Sequence, residues 1–428
     1  MISWLFLLLS LCGAWLTWNV LRPTYAPGRR AVLSFVAGWL TSELALHHVG
    51  LQIVATVLFG AAGAFHGEAG RIGLAIALVS WVVLVLDYLR GARAGAAIEK
   101  ALTEGLDDDY RLRIRPEVAS TIQRGIDWKE LLVPVRLHHP AVERIRDVVY
   151  QRARGLDVKL DVYRPRSHAA GCPVLFEIHG GGWVVGSKND QGIPMMLRMA
   201  ARGWICVSAD YRLSPHATFP DHLVDLKRAL AWIREHIAEY GGDPAFVIAT
   251  GQSAGGHLAS LVALTANQPK YQPGIEHVDT SVAGCVSYYG VYDFTDRHRL
   301  WPNSDLAKLL EQKVMKASIT EDREAYEEAS PMSRVHEQAP PFLIIHGDRD
   351  SLVPVAEARR FAADLRARSR AKVCYAEIPG AQHAFDIFRS LRGEHVLFGV
   401  ERFLETIYGE WLVSRSLREP PAAKSAVG

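Results

Sequence analysis

The chain has 428 residues, 49% of them hydrophobic, enough for one large domain and additional elements. Its 48 basic and 46 acidic residues leave a net charge of +2, which gives no electrostatic reason to expect nucleic acid as a partner. Five widely spaced cysteines (Cys12, Cys172, Cys206, Cys285 and Cys374) form no CxxC or Cys/His cluster, so they read as unpaired thiols rather than metal ligands.

Residues 2–20 carry no charge, and roughly 20 apolar residues suffice to cross a bilayer. A cleaved signal peptide fits less well, because no basic residue precedes the run and no small-x-small site follows it. With further apolar stretches over 31–65 and 72–89, residues 1–90 are expected to form a transmembrane helical region of about three spans. Arg22, Arg29 and Arg30 follow the first span, and Arg90, Arg93 and Lys100 follow the third. Three spans put both groups on one face, with the main domain on the cytoplasmic side. A break near Gly50 in the long middle stretch would instead give four spans and turn the domain outward. Glu43, His47 and His48 in that stretch are costly in lipid, and are expected inside the bundle or at the interface.

Residues 91–140 read as a connector with short helices, one around Val118–Ile122, that could cover part of an active site. Asp107, Asp108 and Asp109 mark a solvated turn. From about Ile145 short apolar runs alternate with helical periodicity. Strands are expected at 158–163, 174–178, 204–209, 246–250, 282–287, 342–345 and 372–378. Leu223, Leu226, Leu230, Ile233 and Ile237 mark one face of a helix over 223–240, and a second helix is expected over 256–265. Residues 141–412 are thus an α/β domain with a mostly parallel sheet flanked by helices. Residues 413–428 read as a disordered tail.

In such a sheet, ligands bind at the carboxyl ends of the strands, where His179, Asp210, Gly251, His346 and Pro379 fall. Gly251-Gln252-Ser253-Ala254-Gly255 matches Gly-x-Ser-x-Gly between an apolar strand and a small-residue helix. Small neighbours two positions away on each side let a serine occupy the tight turn between strand and helix. A hydroxyl nucleophile needs a base and a carboxylate that orients it. The order serine, acid, histidine is met downstream by Asp350, in Asp-x-x-Val-Pro, and by His383. Asp348 is expected to brace the acid loop, His257 to pack beside the nucleophile, and His346 to make a loop hydrogen bond.

His179-Gly180-Gly181-Gly182-Trp183 offers backbone amides that can approach a tetrahedral intermediate. The expected oxyanion donors are Gly181, Gly182 and Ala254, with Gly180 as the alternative if the loop shifts by one. A phosphate loop fails, because no Gly-Lys-Ser/Thr follows.

Together with Asp210-Tyr-Arg-Leu-Ser-Pro215, Phe219-Pro220 and Gly251-Gln-Ser-Ala-Gly-Gly256, this motif resembles the hormone-sensitive-lipase-like carboxylesterases over about 145–412. The resemblance implies an α/β-hydrolase fold, an acyl-enzyme mechanism and no metal or organic cofactor, with Asp210 and Arg212 structuring the loop beside the oxyanion hole. Gln252 departs from the Asp or Thr common before the nucleophile. With Gly186-Ser187-Lys188 and His346-Gly-Asp-Arg-Asp350, it is more similar to the prenylcysteine-methylesterase and feruloyl/acetyl-xylan esterase branches. The expected activity is hydrolysis of a small-molecule ester or lipid at a membrane. An insertion at 297–334, with Trp301, Leu306, Leu309 and Leu310, is expected to cap the acyl pocket. A non-catalytic receptor would require loss of a triad member, and a peptidase would bring a propeller or similar domain; neither feature is present in the sequence.

Overall fold

The computed structural model describes residues 1–122, 125–153, 155–167 and 169–418. Four helices come first: α1 (Ile2–Leu21), α2 (Arg29–Glu43), α3 (Ala45–Ala61) and α4 (Glu68–Arg90). Helix α1 and the run Glu68–Leu106, which contains α4, are long and apolar enough to cross a membrane. The pair α2–α3 passes the same test only as one span, and it is bent by 90°.

That bend corrects the reading of the middle stretch. The break falls at Leu44, not near Gly50, and Gly50 lies within α3. Its cause is electrostatic. Glu43, almost fully buried, pairs with Arg392 and accepts from Ser390 Oγ at 2.6 Å. Those partners belong to the main domain, so α2 is drawn onto it while α3 packs with α1 and α4. Close approach of α4 to α1 needs small residues: a Cβ added at Gly73 would lie 3.1 Å from the Leu7 Cα. The outer faces are apolar and exposed, with Leu8, Trp15, Leu51, Val57, Val79 and Val82 among them.

The main domain carries one eight-stranded sheet in the order β1-β2-β4-β3-β5-β6-β7-β8. Its strands are β1 (Val142–Ala153), β2 (Leu156–Pro165), β3 (Cys172–Ile178), β4 (Ile205–Ala209), β5 (Gly242–Gln252), β6 (Gly284–Tyr288), β7 (Phe342–Gly347) and β8 (Val373–Ile378). β2 is antiparallel to both β1 and β4, and all remaining pairs are parallel. β1 has no clean apolar alternation, which hides it in the sequence. Asp147 bulges there at φ 59°, and the register with β2 shifts between Ile145 and Val148.

The helices around the sheet are α5 (Arg93–Leu106), α6 (Pro116–Ile122), α7 (Trp128–Leu131), α8 (Ile193–Ala201), α9 (Asp221–His236), α10 (Ala254–Leu264), α11 (Asp305–Leu309), α12 (Arg323–Glu328), α13 (Val355–Arg368) and α14 (Leu391–Arg418). α9, α10 and α13 bury Leu226, Leu258 and Phe361 against one face of the sheet. α5, α8 and α14 bury Ile98, Met196 and Phe403 against the other. Two expected boundaries therefore move. Helix α5 is a layer of the main domain rather than a connector, because Ala94, Ile98, Ala101 and Leu102 form one buried stripe. Helix α14 runs through 413–418, and only 419–428 of the expected tail lie outside the described residues.

Candidate active site

β5 ends at Gln252 and α10 begins at Ala254, so Ser253 alone turns the chain between them. Its backbone has φ 57° and ψ −119°, a conformation costly for a residue with a Cβ. The flanking glycines are imposed by contact. A Cβ at Gly251 would lie 2.4 Å from the Gly255 carbonyl oxygen, and one at Gly255 would lie 1.9 Å from that of Ile178.

The loops after β7 and β8 bring Asp350 and His383 to this turn. His383 Nε2 lies 2.9 Å from Ser253 Oγ, and His383 Nδ1 lies 2.6 Å from Asp350 Oδ2. Asp350 Oδ1 accepts the Leu352 and Val353 amides at 2.9 and 2.8 Å. Its Oδ2 also faces His346 Nε2 at 3.1 Å. Burial opposes ionisation of Asp350, but the facing His383 and His346 outweigh it and hold the carboxyl well below the usual carboxylate range. Gln382 Oε1 joins the two loops by accepting the Ser351 and His383 amides at 2.7 and 2.9 Å. Asp348 accepts the Gly380 amide at 2.7 Å, a brace between the same loops.

Gly181 and Gly182 line the same cavity as Ser253 and have φ of 109° and 58°. The Gly180 N–H is already donated to Gln191 Oε1 at 2.7 Å. The Ala254 amide opens α10 directly after Ser253, at the positive end of the helix dipole. His179 is buried and stacks on Tyr211 at 4.4 Å, and Tyr211 Oη donates to its carbonyl at 3.0 Å. Asp210 accepts the Lys188 amide at 2.8 Å, whereas Arg212 turns away to Asp225 at 2.7 Å. His257 is neutral, its pKa pulled down to about 3 by burial, and its Nδ1 accepts from Trp183 Nε1 at 3.2 Å. Gln252 is wholly buried and does not line the cavity, so it touches no substrate there.

The cavity holds about 450 Å³. Leu306 and Leu309 of α11 line it, as expected of the 297–334 insertion, while Leu310 is buried in the core. Trp301 turns instead to Glu357, to which its Nε1 donates. Phe35 and Trp39 of α2 complete the lining. No group of three or more His, Cys, Asp or Glu side chains among the described residues could hold a metal ion.

A probable carboxylic ester hydrolase of Mycobacterium tuberculosis, LipM, is 40% identical over 403 residues, covering 92% of this chain and 90% of that protein. The chain belongs to the α/β-hydrolase carboxylesterases. The LipM match necessarily takes in part of the N-terminal helical region. The family model described as BD-FAE matches residues 160–365 of this carboxylesterase. An isoprenylcysteine alpha-carbonyl methylesterase of Arabidopsis thaliana is 29% identical over 217 residues, 49% of this chain and 50% of that protein. A solved structure of Thermogutta terrifontis esterase 2, phosphonylated by sarin, is 26% identical with a TM-score of 0.52, covering 66% of this chain and 97% of that one. The carboxylesterase motifs did not point to Phe35 or Trp39, because both lie in a stretch read as membrane span. His346 lies inside a quoted motif and Gln382 directly precedes His383, but their roles depend on which loops meet.

Proposed function

We propose that this carboxylesterase acts through Ser253 as nucleophile, His383 as general base and acid, and Asp350 as the carboxylate that orients His383. The observation that carries the reading is the hydrogen-bonded series Ser253–His383–Asp350 opening on an apolar cavity. His383 takes the Ser253 proton as Oγ attacks the ester carbonyl, and the Gly181, Gly182 and Ala254 amides hold the oxyanion. The protonated imidazole then gives its proton to the departing alcohol, and water repeats the sequence on the acyl-enzyme. Ser253→Ala is expected to abolish hydrolysis of p-nitrophenyl butyrate and labelling by a fluorophosphonate, with the far-ultraviolet spectrum intact. Retained turnover would refute the assignment.

The same proposal embeds the enzyme in a membrane through three spans, α1, α3 and α4. Supporting it are the exposed apolar faces of these helices and their up-down-up course. Phe59 meets Phe6 at one end of the bundle, with centroids 5.5 Å apart. At the other end Arg349 of the main domain reaches the Val20 carbonyl and Asp87. The basic residues 22, 29, 30, 90 and 93 flank the helix ends on that side, which supports a cytoplasmic position for the domain. Protease added to sealed inverted vesicles should digest the domain; digestion only from the opposite face would reverse the orientation. The lining favours lipophilic esters over acetylated or feruloylated carbohydrate, because its side chains beside Ser253 are mostly apolar.

A further inference from the structure

Helix α2 bridges the mouth of the cavity and is tied down at both ends. Near its start, the Gly28 amide donates to Asp305 at the head of α11, and Asn303 Nδ2 donates to the Tyr25 carbonyl at 3.0 Å. At its end, Glu43 pairs with Arg392. Between these ties, Phe35 stands edge-on to the His383 ring with centroids 6.1 Å apart. Trp39 Nε1 donates to the Ala384 carbonyl at 2.8 Å, and its ring stacks between Phe35 at 5.5 Å and Phe388 at 5.2 Å. One wall of the site thus comes from a helix outside the α/β domain.

The position of His383 decides which part of an ester meets that wall. When the acyl C–O bond breaks, its electron pair stays on the alcohol oxygen. His383 Nε2 delivers to that oxygen the proton it took from Ser253. The alcohol oxygen must therefore lie within hydrogen-bond reach of Nε2, while the carbonyl oxygen points to the Gly181 and Gly182 amides. The group carried by the alcohol oxygen lies on the His383 side, against Phe35, Trp39 and Ile387. All three are apolar in contact surface.

We propose that α2 forms the leaving-group side of the pocket and that the enzyme takes esters whose alcohol carries an apolar chain. This inference rests on the serine-esterase reading above. The outer face of α2 exposes Val32, Leu33, Val36 and Leu40, so a chain running past the helix meets more apolar surface. The released alcohol is of the class that partitions into lipid.

The test uses the full chain in detergent micelles and two substrate series, n-alkyl acetates from ethyl to octyl and p-nitrophenyl esters from acetate to octanoate. Phe35→Ala is expected to lower the ratio of kcat/KM for octyl over ethyl acetate by about tenfold, chiefly through KM, as an apolar contact of this size is lost. The acyl-chain ratio should move by less than about threefold. Trp39→Phe, which keeps a ring but loses the bond to Ala384, gives a second measurement should Phe35→Ala fold poorly, with a smaller change in the same direction. An unchanged alcohol-chain ratio, or an equal fall in both series, overturns the proposal. Ser253→Ala is run alongside. Turnover surviving that change refutes the serine-esterase reading itself, whereas its loss with unaltered selectivity in Phe35→Ala refutes only the role of α2.

Discussion

Replacing Asp350 by asparagine removes one charge and exchanges one oxygen for an amide nitrogen. The structure says which oxygen is lost. Oδ1 is held by two backbone amides, from Leu352 and Val353, and only an oxygen can accept both. The new NH2 group must therefore replace Oδ2 and face His383 Nδ1. It can only donate there, so Nδ1 becomes the acceptor and the ring proton moves to Nε2. That tautomer presents an N–H to Ser253 and cannot take its proton. The lost charge acts in the same direction. Two unit charges about 4 Å apart interact by about 4 kcal/mol at an effective dielectric of about 20. At about 1.36 kcal/mol per decade, that is about a thousandfold in rate. We expect Asp350→Asn to lower kcat/KM for p-nitrophenyl butyrate by about a thousandfold or more. Asp348→Asn, which meets Gly380 and not His383, should lose less than about tenfold. If Asp350→Asn stays within tenfold of the parent, or if the two variants exchange places, the assignment of the acid is wrong.

Four further outcomes follow from packing. Glu177 is wholly buried beside Gln252. Burial pushes its carboxyl well above the usual range, so the folded state holds a proton that the unfolded state releases. Stability of the parent should therefore fall as pH rises above about 4.3, and Glu177→Gln should gain in melting temperature over the parent between pH 5 and pH 8. A pH-independent difference would count against this. Arg392→Ala leaves Glu43 and Asp87 buried with fewer partners; it should cost about 3 kcal/mol, read by chemical unfolding in detergent, and a cost under about 0.5 kcal/mol would mean that the contact does not hold α2 in place. Gly255→Ala should yield inactive or unfolded protein because of the 1.9 Å approach to the Ile178 carbonyl. Gly50→Ala, with open space around its Cβ, should be neutral or stabilising by up to about 1 kcal/mol.

The strands from β3 onward could be read along the chain because parallel strands buried on both faces become short apolar runs, and the antiparallel β2 by its alternation. β1 could not, since its residues alternate with arginines and acids and it pairs only at the sheet's edge. The segment 93–106 shows the same limit: its buried stripe is clear once β8 and α14 lie against it, but it sits next to an apolar run that dominates any hydropathy reading. The break at Leu44 has no local cause at all. Glu43 finds its partner almost 350 residues away in Arg392, and no window of sequence contains both.

The sequence by itself determined the carboxylesterase family and pointed to the residues proposed for its chemistry. Gly-x-Ser-x-Gly, Asp350, His383 and the glycines after His179 each sit at a strand end whose geometry is local, so each was legible where it stands. Tertiary structure alone decided what surrounds that chemistry. It brought His346 against Asp350 and Gln382 across the acid and base loops, turned Gln252 into the interior, and laid Phe35 and Trp39 over the site. The reason is physical. A turn or a strand is specified by neighbours in the chain, whereas a pocket wall is specified by surfaces that meet only after the helices and the sheet have packed.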